Sequence, residues 1–302
     1  MSTNIKRGKN AIALLVTVLF VIVITVAIGY SLRQVNKAAA IVKDESFMYQ
    51  NSIILEDVLT ILQSSPDVAR VADSNSSEEL FVLLSQSSFI PLSSSGVSIV
   101  LKLASARAKF NPAGINAQNI EAIREYMNIK MVSNDYADIL LDCVSGIKVD
   151  NSYNSAIFNE KPYLFRDYIA SKRHLDEIND FFAREYNDNS LSRVAFEKLF
   201  HFGADTNASI DLNYATTEVW ELLLGADRQR ARYLSSRAGL YSDINSLELN
   251  SDEEERLKRF NTSFFEPIVL VEIEIEQNES RAYIRFEYDL KSKKGSNFVY
   301  EI

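Results

Sequence analysis

The hydrophobic and polar positions divide the chain into an apolar N-terminal segment, a long section with helical periodicity and C-terminal segments with strand periodicity. Ala11 to Ile28 reads AIALLVTVLFVIVITVAI, in which Thr17 and Thr25 are the only polar side chains. A helix of this length crosses the roughly 30 Å hydrocarbon core of a bilayer. We therefore predict a transmembrane helix at residues 9–30.

The charges that flank this apolar segment predict its orientation. Lys6, Arg7 and Lys9 precede it, whereas Arg33 is the one charge close behind it. The positive-inside rule keeps the basic N-terminus in the cytoplasm and exports the rest of the chain. The charges therefore predict a single span with the body of the chain outside the cytoplasm.

The apolar segment has three competing interpretations: a cleaved secretory signal peptide, an ordinary signal anchor, and the processed leader of a type IV pilin-like protein. The first is disfavoured, because the run exceeds the roughly 7–15 residues of a signal-peptide core and no small-residue cleavage site follows it. Apolar residues continue at helical spacing, and no proline occurs before Pro66. One long helix, apolar and then amphipathic, is typical of pilin-like subunits, and an anchor with a helical stalk remains the alternative.

The body of the chain changes its hydrophobic period twice. Val97 to Leu103, VSIVLKL, predicts a strand, and residues from Asn116 to about Phe260 recur at helical spacing. Ile268 to Gln277 and Arg281 to Leu290 alternate apolar and polar residues, which predicts a β-hairpin with the valines and isoleucines of its first strand on one face. The predicted fold is α+β: a long N-terminal helix, a small antiparallel sheet, and a large all-α domain inserted between the strands of that sheet.

Composition and motif content narrow the possible functions. The chain has 302 residues, 47% of them hydrophobic, so it can bury a core. A formal net charge of −9 argues against a general nucleic-acid binder, which needs a clustered basic surface. Cys143 is the only cysteine, and His174 and His201 stand far apart, so the sequence contains no zinc ligand set. It also lacks Gly-x-Ser-x-Gly, Walker and dinucleotide motifs, and we do not expect an enzyme.

Several segments carry a resemblance whose strength is their collinear order. They are Arg7-Gly8 before the apolar helix, Ser94 to Asn116 at the first strand, Leu140 to Ile178 in the helical section, Ile210 to Gly225 (IDLNYATTEVWELLLG), and Ser263 to Ile275 (SFFEPIVLVEIEI). Together they resemble the general secretion pathway protein K family, the minor pseudopilins of type II secretion systems. The resemblance extends over nearly the whole chain.

The resemblance implies a location in the bacterial inner membrane with a cytoplasmic N-terminus and a periplasmic body, a domain organisation and a set of partners. Residues 1–8 would be a prepilin leader, 9–30 the transmembrane helix, 31–111 the first half of a pilin-like α/β part, 112–262 the inserted α-helical domain, and 263–302 the returning β-hairpin. The implied partners are other minor pseudopilins at the pseudopilus tip, prepilin peptidase, the inner-membrane assembly platform and the lipid bilayer, whereas nucleic acid is not expected. The implied function is to initiate pseudopilus assembly at the tip and to help export folded proteins across the outer membrane.

The N-terminal helix contains the residues expected to be processed and to assemble. Cleavage is expected between Gly8 and Lys9, with cleavage between Asn10 and Ala11 as the alternative. Most major pilins carry a glutamate at the fifth mature position, where this chain has an apolar residue under either choice; its absence suits a tip subunit that has no neighbour above it. The residues expected to form the membrane and assembly face are Leu14, Val18, Val21, Ile22, Thr25 and Ile28.

A polar loop in the helical section is a candidate calcium site. It contains Asp142, Asp150, Asn151, Asn154 and Glu160, whose oxygen atoms are of the hard type that calcium prefers. Members of the resembled family bind calcium in the inserted domain. The loop lacks a dense Asp-x-Asp run, however, so a solvated polar loop is an equal alternative.

A second segment resembles a helix-hairpin-helix motif, which in other proteins offers backbone amides to a DNA phosphate. Gly225, Arg228 and Arg230 are its candidate contact residues, but Asp227 would direct a carboxylate at the phosphate position. We therefore favour a structural hairpin. Two alternative functions stay open: a minor pilin-like subunit of a DNA-uptake, competence or type IV pilus machine, and a membrane-tethered periplasmic enzyme.

Overall fold

The computed structural model describes residues 47–87, 90–94, 97–277 and 280–301. The chain divides into two units, Met1–Val58 and Leu59–Ile302. The predicted leader, processing sites and transmembrane helix, with Gly8 to Ala11 and the assembly face, lie outside the described residues. Within the described part, no helix is both long and apolar enough to cross a membrane.

The first described elements are three helices. Helix α1 covers residues 47–64, α2 covers Pro66–Ser74, and α3 covers Ser77–Ser87. Pro66 occupies the first turn of α2, where a missing N–H costs nothing, and the Ser65 hydroxyl accepts the Val68 N–H at 3.4 Å. The helical periodicity that ends at Pro66 in the sequence is therefore present in the described residues 47–64.

The strands form one five-stranded antiparallel sheet and one small parallel pair. In chain order they are β1 Ile90–Ser94, β2 Val97–Ser105, β3 Ile210–Asp211, β4 Thr262–Ser263, β5 Ile268–Gln277, β6 Ser280–Asp289 and β7 Lys294–Glu301. The large sheet has the order β1-β2-β5-β6-β7, and β3 pairs with β4. The structure confirms the α+β class and the small antiparallel sheet.

The hairpin β5–β6 has the predicted faces. Val269, Val271, Ile273 and Ile275 are buried, and across from them on β6 lie the buried side chains of Ala282, Ile284, Phe286 and Tyr288. The opposite face is charged, with ion pairs from Lys102 to Glu274 and from Arg281 to Glu276. A one-residue shift of register would exchange these two faces, so burial specifies the pairing.

The helices between β2 and β5 form the helical section. They are α4 Ile120–Ile129, α5 Asp135–Asp142, α6 Ile157–Glu160, α7 Lys172–Glu185, α8 Phe196–Leu199, α9 Thr217–Leu224, α10 Arg228–Ser235 and α11 Ser251–Leu257. Several of them have an N-cap side chain. The hydroxyl of Ser171, the N-cap of α7, accepts the His174 N–H, and the hydroxyl of Thr216, the N-cap of α9, accepts the Val219 N–H.

The helical section has its own hydrophobic core. Its largest fully buried side chains include Trp220, Tyr126, Tyr136, Phe181 and Phe182. Cys143, on the same core, is fully buried, and burial raises the pKa of its thiol. A thiol in this state reacts slowly, because the thiolate is the nucleophile.

Candidate functional site

The loop after α5 places only part of the candidate calcium ligands together. Asp142 is fully buried, and its carboxylate accepts hydrogen bonds from the backbone and side-chain amides of Asn154, both at 3.0 Å. The N–H and the hydroxyl of Ser155 donate to its second oxygen at 2.7 and 2.8 Å, and Lys148 Nζ lies 3.8 Å from the first. Both oxygens of the Asp142 carboxylate therefore already accept hydrogen bonds from N–H and hydroxyl groups of this chain.

The remaining candidate calcium ligands, Asp150, Asn151 and Glu160, each have local contacts of their own. Asp150 accepts hydrogen bonds from the hydroxyl and N–H of Ser152, which lower the pKa of its carboxyl. Glu160 lies 3.6 Å from Arg184, and Asn151 has a left-handed backbone with φ 54°. In the part of the chain that the structure describes, no group of three or more His, Cys, Asp or Glu could hold a metal ion. The calcium site stays a prediction.

The candidate hairpin segment is the turn between α9 and α10. Gly225 ends α9 with φ 62°, and a Cβ added there would lie 2.8 Å from Arg256 Cζ. Asp227 caps α10, because its carboxylate accepts the N–H groups of Gln229 and Arg230 at 2.8 and 2.9 Å. The amides at this helix start, which a phosphate would need, are thus already bonded.

The two arginines of the hairpin have partners within the helical section. Arg228 Nη2 lies 3.2 Å from Glu218, and Arg230 Nε lies 3.3 Å from Glu253. Arg230 also donates to the Glu248 carbonyl at 2.8 Å. These contacts support the structural interpretation of the hairpin, since a carboxylate of this chain lies beside each of the two arginines that would meet DNA.

A cluster of buried polar contacts lies where the chain passes between the sheet and the helical section. We call this place the junction; it consists of residues 105–110, 210–216 and 261–268. The chain leaves the sheet after Ser105 and returns to it at Ile268, where the Ala106 N–H donates to the Ile268 carbonyl at 3.0 Å. Both covalent passages between the sheet and the helical section are therefore part of the junction.

Asp211 connects both passages to the helical section. Its N–H donates to the Arg107 carbonyl at 2.9 Å, and its Oδ2 accepts the Glu266 N–H at 3.0 Å. Its Oδ1 accepts the Asn213 N–H, also at 3.0 Å. Asp211 is fully buried, and this burial raises the pKa of its carboxyl to about 7, although the two accepted hydrogen bonds act in the opposite direction.

Asn213 is the second buried residue of the junction. Its Nδ2 donates to the Phe264 carbonyl at 2.7 Å and to the Tyr241 carbonyl at 2.9 Å, while its Oδ1 accepts the Tyr241 N–H at 2.8 Å. The side chain is 1% exposed. It thus satisfies the backbone of two segments that are distant in sequence.

A buried ion pair joins the first passage to the sheet. Arg107 Nη2 lies 3.0 Å from Glu287 Oε2, and the side chains are 10% and 11% exposed. Nearby, His201 Nδ1 lies 2.8 Å from the Lys109 carbonyl. Burial and, after it, the charge of Arg107 lower the pKa of His201 to about 4, so the imidazole is neutral at pH 7.

Sequence reasoning did not identify the junction. Arg107 follows shortly after a strand, and Glu287 lies on the face of β6 opposite to its apolar residues, beside an irregularity in the β6–β7 pairing between Arg285 and Glu287. These are weak signals, because a charge at the end of a strand is usually solvated. Ile210 to Gly225 was singled out only for its resemblance; the structure shows that its Asp211 and Asn213 hold the two passages.

Comparison with known proteins finds a similar solved structure but no similar sequence. No protein-family model matches the chain, and no curated protein matches its sequence. A solved structure, "The Crystal Structure of the GspK-GspI-GspJ complex from enterotoxigenic Escherichia coli Type 2 Secretion System", contains a similar chain, with a TM-score of 0.58 and 11% sequence identity. The match covers 86% of this chain and 99% of that chain. This chain shares the fold of a component of that complex. The structural neighbour is thus of the kind that the sequence resemblance implies.

Proposed function

We propose that the chain is a minor pseudopilin of a type II secretion system. The observation that carries the proposal is the shared fold, which extends over nearly all of the component from the GspK-GspI-GspJ complex. The apolar N-terminal segment, with basic residues before it, supports the same role. In this role the chain would act by contact with other proteins and not by catalysis.

The proposal includes an order of events. Prepilin peptidase removes the leader at the inner membrane, and the N-terminal helix holds the protein there with its body in the periplasm. The chain then joins two other minor pseudopilins, as the partners named in the matching complex suggest. At the tip of the pseudopilus, the helical section caps the filament and helps folded proteins leave across the outer membrane.

Processing of the full-length chain tests membership of the pilin-like class. Co-expression with prepilin peptidase is expected to yield a mature protein that begins at Lys9 or Ala11, as mass spectrometry of the N-terminus would show. Gly8→Val should prevent the first cleavage and Asn10→Val the second, because a branched side chain adds bulk beside the scissile bond. An inactive peptidase is the control. An intact Met1 start, or cleavage beyond Tyr30, would contradict the proposal.

A charge in the apolar helix tests assembly. Val21→Asp is expected to reduce secretion at least about tenfold, since an aspartate at the centre of a membrane helix costs about 2.5–3.5 kcal/mol and disrupts apolar helix contacts. Val21→Leu is the matched control and should secrete normally. Membrane fractionation should show the Asp variant still inserted, and normal secretion by that variant would count against a role in a helical filament core.

A further inference from the structure

The two edges of the five-stranded sheet differ in their capacity to pair with another strand. The outer side of β7 has no neighbouring strand among the described residues. Such an edge presents a row of backbone N–H and C=O groups that an extended segment can pair. The opposite edge, β1, contains Pro91, which has no N–H group to donate to such a row. Of the two edges, β7 is therefore the one suited to an added strand.

The two halves of β7 differ in the same respect. The half from Lys294 to Asn297 has features that discourage edge pairing: a lysine, and a left-handed backbone at Asn297, with φ 55°, where the register with β6 is irregular. The half Phe298–Glu301, sequence FVYE, pairs regularly with β6 over its last three residues. Phenylalanine, valine and tyrosine are residue types that favour strands. We call Phe298–Glu301 the open edge.

Two aromatic side chains of the open edge lie on the apolar side of the sheet. Tyr300 is opposite the buried Ile284, and the ring of Phe298 stacks on the buried ring of Phe286, with 5.0 Å between the centroids. Tyr300 is nevertheless 50% exposed and Phe298 41% exposed. The apolar side of the sheet thus extends to its edge, and an added strand would place every second side chain against these rings.

We propose that the open edge is the place where another minor pseudopilin adds an extended strand to this sheet. The inference rests on the proposed function, in which the chain joins other minor pseudopilins, and the similar solved chain belongs to the GspK-GspI-GspJ complex. An exposed apolar edge favours aggregation, so a partner that covers it accounts for its presence.

The chemistry of the added strand follows from the open edge. Its backbone pairs with the outward N–H and C=O groups of β7, which supplies affinity without a particular sequence. Its side chains alternate in character: apolar residues contact Phe298 and Tyr300, whereas polar residues lie on the other side of the sheet, where Arg285 is opposite Val299. The partner segment is therefore extended, with alternating apolar and polar residues.

Residue-resolved hydrogen exchange tests the pairing. The full-length chain is co-expressed with the two other minor pseudopilins of its secretion system, and the purified complex is compared with the free chain, both in detergent micelles. Alternate amides of the open edge, those directed away from β6, are expected to exchange at least about tenfold more slowly in the complex. The β5–β6 hairpin should be equally protected in both samples.

A charged substitution separates the open edge from exposed aromatic residues in general. Tyr300→Lys is expected to weaken the complex at least about tenfold, because an edge lysine opposes strand pairing and meets the apolar side of the added strand. Tyr163→Lys is the matched control, since Tyr163 is also exposed but belongs to the helical section. It should leave the affinity unchanged. Unchanged affinity of the Tyr300→Lys protein, or an equal loss in both variants, would contradict the open edge as an interface.

The exchange measurement uses the unmodified chain, so it holds even if Tyr300→Lys fails to fold. If the three chains do not associate, the proposed function fails and the strand pairing fails with it. If they associate while the outward amides of the open edge exchange as fast as in the free chain, only the pairing is overturned. Self-association of the free chain that protects the open edge, as sedimentation would show, would make a second copy the occupant and would also overturn the proposal.

Discussion

Replacement of Arg107 by alanine is expected to lower the free energy of unfolding by about 3–5 kcal/mol. The guanidinium lies 3.0 Å from Glu287, and both side chains are almost fully buried. Without Arg107, the carboxylate of Glu287 remains in the interior with no counter-charge. Urea unfolding of the full-length protein in micelles, followed by fluorescence of the single tryptophan, Trp220, would measure the loss.

The double variant Arg107→Met with Glu287→Leu separates the ion pair from its surroundings. Replacing both charges by apolar groups of similar size should cost far less than Arg107→Ala alone, because no buried charge is left unpaired. An exposed pair, Lys172 with Asp176, gives the comparison: Lys172→Ala should change stability by less than about 1 kcal/mol. If Arg107→Ala lowered the free energy of unfolding by less than about 1 kcal/mol, this would show that water reaches Glu287 in solution.

Replacement of Asn213 by alanine is expected to destabilise the protein by about 3 kcal/mol or more, from about 1–3 kcal/mol for each buried group left unsatisfied. The change removes the partners of the Tyr241 N–H, the Tyr241 carbonyl and the Phe264 carbonyl. Trp220 fluorescence is again a suitable probe, because its ring lies 6.2 Å from that of Tyr241.

Two further substitutions control the result for Asn213. Asn213→Asp keeps the oxygen that accepts the Tyr241 N–H but loses the donor, so it should be nearly as destabilising as alanine. Asn207→Ala removes an exposed asparagine nearby in sequence and should change stability by less than about 0.5 kcal/mol. Equal stability of the Asn213 and Asn207 variants would contradict the role given to Asn213.

The parts of the fold predicted from sequence are those in which burial follows a regular period. The alternation of β5 and β6 identified the hairpin and its buried face, and the long stretch of helical spacing identified the helical section. Strands β1 and β7 were not predicted. They lie at the two edges of the sheet, and their sequences, IPLSS and KGSNFVYE, contain a proline or many polar residues. No side chain of β7 is fully buried, so no core face imposes alternation on it, and an edge strand such as β1 tolerates a proline because one row of its backbone N–H groups is unpaired.

The candidate sites show that a local sequence pattern does not determine what a side chain contacts in the folded chain. Asp142 belongs to a loop whose composition suits calcium, yet its oxygens meet the N–H and hydroxyl donors of Asn154 and Ser155. Arg228 and Arg230 stand in a hairpin typical of DNA contacts, yet they meet Glu218 and Glu253. Composition identifies groups that can bind, whereas the folded neighbours decide what they bind.

The sequence by itself determined the α+β class, the predicted membrane segment and the resemblance to minor pseudopilins, because each depends on periodicity, length or the order of short segments. Only the tertiary structure brought Arg107 to Glu287 and Asp211 to both passages between the sheet and the helical section. The physical reason is burial: the ionisation of a carboxyl group depends on the water and charges around it, and these come from residues far away along the chain.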